Sequence, residues 1–254
     1  MKIAVSGKGG VGKTTLSAGL IECFVQNGRE VYAIDADPDT SLGITLGLDE
    51  EKLDNLVPLI DMREVIENKN AGGGVMVDLN PDVADVLEDY CLKENKIKFF
   101  KMGGIKQGGT ACYCKENSFL YSILNSLLLD KEEPVVIDMS AGIEHLTRGT
   151  ARGVDVILVV TEPTLTSVKT AGVVKQLAND LGIGRVFFVG NKVRNEQDRE
   201  FLSRSFSSDE LAGIVPFDEG LLSTSQNAFQ GESKFQIEEI KNIWKNLVGG
   251  EQKA

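Results

Sequence analysis

The feature that most constrains this chain is the stretch Gly7 to Thr14, GKGGVGKT, set between two differently patterned segments. Before it, Ile3 to Ser6 is a short apolar run that stops at Gly7 and reads as a buried strand. After it, Leu16, Leu20, Ile21, Phe24 and Val25 recur at helical spacing from Thr14 to Asn27, and Gly28 ends the pattern. Gly9, Gly10 and Gly12 let backbone N–H groups curl around an anion without side-chain clash. The helix that follows points its positive end at the same place. The spacing GxxxxGK[ST] between a strand and a helix is that of a phosphate-binding loop. In such a loop Lys13 reaches the β and γ phosphates and the Thr14 hydroxyl ligates Mg²⁺. Gly9, Gly10, Val11, Gly12, Lys13, Thr14 and Thr15 are therefore candidate nucleotide-binding residues.

The rest of the chain repeats the alternation. Apolar runs at Glu30–Ala36, Pro134–Met139, Val154–Thr161, Arg185–Asn191 and Leu211–Pro216 read as strands, with helical stretches such as Thr164–Leu181 between them. The strands are apolar on both faces, which predicts an α/β fold: a mainly parallel sheet flanked by helices on both sides. A last helix is expected over Phe235–Leu247, with Ile237, Ile240, Ile243, Trp244 and Leu247 on one face docked on the core. The segment from about 40 to 130 is glycine-rich and weakly periodic, apart from an expected strand at Lys96–Met102 and an expected helix at Asn117–Leu129. It is expected to be an insertion within a single domain spanning 1–254, not a second domain.

Composition removes several function classes. Lys and Arg number 27 against 38 Asp and Glu, a net charge of −11. Such a chain repels phosphate backbones, so no nucleic-acid partner is expected. No run of 18 apolar residues exists and no targeting segment is visible, so the expectation is a cytoplasmic protein with no membrane partner. Cys23, Cys91, Cys112 and Cys114 follow no disulfide framework, in keeping with reduced thiols.

Lys8 makes the loop KGGxGKT, which resembles the deviant Walker A ATPases, a family that includes MinD, nitrogenase iron protein and the arsenite-pump ATPase. The resemblance implies P-loop architecture, ATP and ADP as ligands, hydrolysis to ADP and phosphate, and a homodimer in which Lys8 reaches the partner's nucleotide. It also implies further catalytic residues beside Lys8 and Lys13. Asp35-Ala36-Asp37-Pro38 resembles switch I, where Asp37 orients the attacking water, with Asp39 as its rival. Val136-Ile137-Asp138 followed by Met139-Ser140-Ala141-Gly142 resembles the Walker B strand and switch II, where Asp138 holds Mg²⁺ through water. Asn191-Lys192 matches the base-gripping strand end, and Pro216 the loop that packs on adenine. Guanine readers usually continue NKxD; Arg194 stands at that aspartate's place and cannot accept a hydrogen bond, which favours ATP over GTP.

Cys112-Tyr113-Cys114 adds a second chemistry. In extended backbone, residues i and i+2 point to one side; in a helix they diverge by roughly 200°, and a disulfide within the triplet is strained. Two thiolates are half of a four-ligand Zn²⁺ site, and a two-fold dimer makes four, suited to Zn²⁺ or Ni²⁺. From spacing alone, two free loop cysteines are an equal reading. A deviant Walker A chain with a mid-chain CxC resembles the accessory ATPases that mature nickel-containing carbon monoxide dehydrogenase. That resemblance implies nickel or zinc bound by Cys112 and Cys114 at the dimer interface, and carbon monoxide dehydrogenase as client. Alternatives are a MinD- or partition-type positioning ATPase and an iron–sulfur redox ATPase. Cys23 and Cys91 read as structural, and His145, after switch II, as either a nucleotide sensor or an ordinary histidine.

Overall fold

The computed structural model describes residues 1–62, 90–103, 124–130, 132–143, 146, 151–219 and 237–249. The strands are β1 (Lys2–Gly7), β2 (Val31–Ala36), β3 (Leu92–Glu94), β4 (Ile97–Lys101), β5 (Val135–Met139), β6 (Val156–Thr161), β7 (Val186–Val193) and β8 (Leu211–Pro216). They form one eight-stranded sheet in the order β3-β4-β2-β5-β1-β6-β7-β8. All neighbours pair in parallel except β3 with β4. The described helices are α1 (Lys13–Gln26), α2 (Leu42–Thr45), α3 (Glu50–Asn55), α4 (Leu165–Asp180), α5 (Glu196–Ser205) and α6 (Glu238–Gly249).

The near-continuous apolar strands are explained by two cores, one on each sheet face. On β1 and β2, Ile3, Val5, Val31 and Ala33 join the core formed with Leu16, Leu20 and Phe24 of α1 and Ile240, Ile243 and Leu247 of α6. The alternate residues Ala4, Tyr32 and Ile34 face the other core, with Ala171, Val174 and Ala178 of α4 and Leu202 of α5. The period of two thus survives inside strands that are buried on both sides. Helix α6 docks through the expected face, and its Trp244 meets Phe24 of α1 edge-to-face at 5.7 Å.

In the segment 40–130 the strand expected at Lys96–Met102 is β4, which extends the main sheet beside β2, while α2 and α3 precede it. The short β3, which turns back on β4, was not expected. β3 has three residues, too few for a periodicity signal, and its turn relies on Asn95 and Lys96 at φ 49° and 64°. Of the helix expected at Asn117–Leu129, the described portion starts at Leu124 and ends in a π-helical turn over Ser126–Asp130. Among the described residues, no helix is long and apolar enough to cross a membrane.

Because seven strands run the same way, their C-terminal ends line one edge. β1 lies centrally, between β5 and β6, so the loop leaving it opens at the point where crossovers diverge to either side. Open α/β sheets bind ligands at that point.

Candidate nucleotide site

The loop leaving β1 enters α1 through Gly12, which has φ 96°. A Cβ there would lie 2.3 Å from Asn191 Nδ2, so both backbone and neighbour demand glycine. Gly7 is equally constrained, because a Cβ would meet the Val160 carbonyl oxygen at 2.4 Å. α1 has no side-chain cap and no acidic residue in its first turn. By contrast Asp49, Thr164 and Asn195 cap α3, α4 and α5. The first amides of α1 are thus left for an external anion. Lys13 is buried and its ammonium donates to the Lys8 carbonyl at 3.5 Å. Gly9 and Gly10 are exposed, Val11 is buried, and Lys8 reaches across the surface to Thr166 Oγ1 at 3.3 Å.

Two carboxylates converge beneath this loop. Parallel pairing puts Asp35 of β2 beside Asp138 of β5, and both are fully buried. Asp138 accepts from the Thr14 hydroxyl at 2.7 Å and from Ser17 Oγ at 3.0 Å. Thr14 and Ser17 lie on one face of α1, three residues apart. Burial pushes the Asp138 carboxyl up to about 6, against the hydroxyl bonds and the nearby Lys13 charge. Burial also pushes Asp35 up to about 7; the Leu42 amide opposes this and the Asp138 charge adds to it. Asp35 accepts from the amides of Leu42 (2.8 Å) and Asp37 (3.2 Å), which ties down the loop carrying Asp37 and Ser41. Ser41 Oγ lies 3.3 Å from Thr14 Oγ1. A desolvated carboxylate bonded to a hydroxyl at the phosphate loop fits a magnesium site. Thr14 and Asp138 would hold the ion, which would offset phosphate charge when bound.

A cleft of about 160 Å³ lies on the other side of Gly12, lined by Thr15, Leu16, Asn191, Lys192, Pro216 and Phe217 among others. Its apolar floor comes from Val160, Val189 and Val215 at strand ends, suiting a flat base next to the phosphate loop. Arg194 lies over the Phe217 ring at 4.4 Å, flanking this cleft with a cation where guanine readers place a carboxylate.

The sequence matches the CobQ/CobB/MinD/ParA nucleotide-binding domain over residues 2–228. The chain belongs to this family. It is 37% identical over 229 residues to the carbon monoxide dehydrogenase accessory protein CooC of Rhodospirillum rubrum, covering 89% of this chain and 87% of that one. It is 40% identical over 229 residues to an uncharacterized ATP-binding protein of Methanocaldococcus jannaschii, covering 87% of each. The fold is shared with the MinC:MinD cell division complex of Aquifex aeolicus, at TM-score 0.69 and 19% identity over 98% of this chain and 95% of that one. As a MinD/ParA-type P-loop NTPase, the chain is a member of an ATP-binding family.

The expected residues of this MinD/ParA domain fall in three places. Lys13, Thr14 and Asp138 come together at the phosphate loop. Asp37 is half-buried and close enough to raise the carboxyls of both Asp35 and Asp138, whereas Asp39 is exposed. Asn191, Lys192 and Pro216 line the cleft, but Asn191 Nδ2 donates to the Val11 carbonyl (2.7 Å) and Lys192 Nζ to the Gly10 carbonyl (2.5 Å). Their polar atoms therefore brace the phosphate loop in the protein alone. Cys112, Cys114 and His145 lie outside the described residues, and among the described residues no cluster of three or more metal-ligating side chains occurs. Cys23 is buried and Cys91 packs against the core, as expected. Ser17 and Ser41 were not singled out from sequence, and Asp35 only as part of the switch I segment. The i, i+3 relation of Ser17 to Thr14 was the available signal, whereas Asp35 needed the β2–β5 register.

Proposed function

We propose that this chain is an ATP-hydrolysing homodimer switch of the cytoplasm that binds nickel and delivers it to a carbon monoxide dehydrogenase. The observation that carries this reading is the combination of a phosphate site with CooC-like sequence over most of the chain. In the mechanism, the free amides at the start of α1 and the Lys13 ammonium take the β and γ phosphates. Thr14 and Asp138 hold Mg²⁺, and the strand-end cleft takes adenine. Asp37 orients the attacking water, held in place by the Asp35 carboxylate that binds its amide. Lys8 leaves Thr166 and crosses to the partner's nucleotide, so that hydrolysis requires the closed dimer. Cys112 and Cys114 of two protomers together supply four thiolates to one nickel ion, with zinc as the competing occupant. ATP and metal are then coupled through one dimer equilibrium.

The test is metal content and nickel affinity of the reduced protein, with and without ATP, alongside its mass in solution. One ion per two chains, lost in both Cys112→Ala and Cys114→Ala while ATP still binds, is the expected result. Unchanged nickel affinity in those variants ends the delivery reading. ATP-dependent co-sedimentation with vesicles or DNA would replace it by a positioning ATPase.

A further inference from the structure

The amides of a phosphate loop point inward, so its carbonyls point outward and need donors of their own. Two of them find donors at the end of β7. Asn191 serves the Val11 carbonyl, and Lys192 serves Gly10 through its ammonium at 2.5 Å. Lys192 stands at φ 57°, a left-handed conformation that a lysine adopts only at a cost and that only surrounding structure maintains. It also stands within a register irregularity between β7 and β8 at Gly190–Val193, and such a bulge re-aims a side chain. The ammonium is held from its other side by Glu162 Oε1 at 2.7 Å.

Glu162 is the residue directly after β6, whose Thr161 pairs with Gly190 of β7. Its backbone is fixed as well. Its amide donates to Ser167 Oγ at 3.0 Å, and its carbonyl accepts from the Thr164 amide at 2.7 Å, in the turn that caps α4. Lys192 and Glu162 keep 37% and 28% of their side chains exposed, so the pair is shielded more than a surface ion pair and less than a core one.

We propose that Glu162 and Lys192 form a clamp on the phosphate loop, in which Glu162 is a positioning residue. Glu162 aims the Lys192 ammonium at the Gly10 carbonyl, and that bond keeps the loop's amides turned inward before nucleotide arrives. The clamp therefore acts on phosphate binding and not on reading the base, the role that the strand-end motif alone suggests for Lys192. This inference rests on the nucleotide reading of the same site.

The test uses the full chain and the variants Lys192→Met, Glu162→Gln and their combination. Titration calorimetry with ATP and with inosine triphosphate separates phosphate effects from base effects. Amide hydrogen exchange over residues 9–13 is measured on nucleotide-free protein. Lys192→Met is expected to weaken ATP about tenfold, the loss of one partly shielded charge-assisted hydrogen bond. Glu162→Gln weakens it several-fold, and the double variant is no worse than Lys192→Met, as for two residues acting in series. The ratio of ATP to inosine triphosphate affinity stays at the wild-type value, and loop exchange accelerates in every variant. Three results overturn the clamp: unchanged ATP affinity and loop exchange in Lys192→Met, an altered ratio between the two nucleotides, or fully additive losses in the double variant. If the wild-type chain binds neither nucleotide, the nucleotide reading fails by itself. Exchange over residues 9–13 then still decides the clamp, faster in the variants supporting it and unchanged overturning it.

Discussion

Gly12→Ala isolates what the phosphate loop requires of its glycine. The residue has φ 96°, and a left-handed conformation costs a side-chain-bearing residue about 1–2 kcal/mol. The new Cβ would lie 2.3 Å from Asn191 Nδ2. Asn191 must therefore swing away and give up its 2.7 Å bond to the Val11 carbonyl, a loss of about 1 kcal/mol. The lower entropy of alanine in the unfolded chain returns about 0.4–1 kcal/mol. The net loss is on the order of 2 kcal/mol, or about 4–8 °C in melting temperature for a domain near this size. Gly9→Ala is the control. No atom lies within 4 Å of its Cβ and its φ is not positive, so only the unfolded-chain term acts and it should melt with the wild type or slightly above it. Circular dichroism melts of nucleotide-free protein measure both. Asn191→Ala supplies a second check: in that background Gly12→Ala should lose only the backbone cost, giving a coupling of about 1 kcal/mol. Equal melting of Gly12→Ala and wild type, or equal damage from Gly9→Ala, would refute the account.

Other perturbations probe the remaining parts. Lys13→Ala should weaken ATP binding at least tenfold, whereas Lys8→Ala should leave it intact and lower turnover by about a thousandfold or more with loss of ATP-dependent dimers; sedimentation and phosphate release read the two effects, and identical behaviour would contradict a role for Lys8 in trans. The Asp35 and Asp138 carboxyls, raised to about 7 and about 6, hold protons in the fold that the unfolded chain has released. The stability of the magnesium- and nucleotide-free protein should thus fall as pH rises from about 4 to 7. Asp35→Asn should flatten that slope in urea melts across the interval, and an unchanged slope would argue against the burial of this carboxyl. Ile240 is buried against Gly19 and lines the base cleft, so Ile240→Ala should cost about 2–4 kcal/mol and also weaken ATP; a loss of stability without loss of affinity would separate α6 from the cleft.

What was legible in the sequence was whatever its chemistry requires to be contiguous. The phosphate loop could be read because one anion must meet successive amides, Lys13 and Thr14 within a single turn. Strand identity could be read because both faces of β1, β2, β5 and β6 are buried. Hidden from the sequence were the contacts that only register creates. Asp35 was seen as part of a switch motif, but its burial beside Asp138 follows from β2 lying next to β5. β3 escaped because three residues carry no period, and its turn depends on positive φ at Asn95 and Lys96, residues with no glycine to advertise it.

The same logic explains why Lys192 reads in two ways. Sequence places it in a strand-end motif, two residues after Gly190, and says nothing of Glu162, thirty residues earlier. In the fold, β1, β6 and β7 are neighbours, so Gly10, Glu162 and Lys192 meet although no local pattern joins them. A side chain next to a base cleft need not read the base. Its polar atom is already committed to a loop carbonyl and a carboxylate, and contact with the base would have to compete with both. Asn191 gives one N–H in the same way to Val11. On the adenine reading proposed above, Arg194, whose cation lies over Phe217, offers no acceptor for guanine's N–H donors. Arg194→Asp is thus the substitution expected to shift preference toward GTP in competition binding, and an unchanged ATP:GTP ratio would count against that reading.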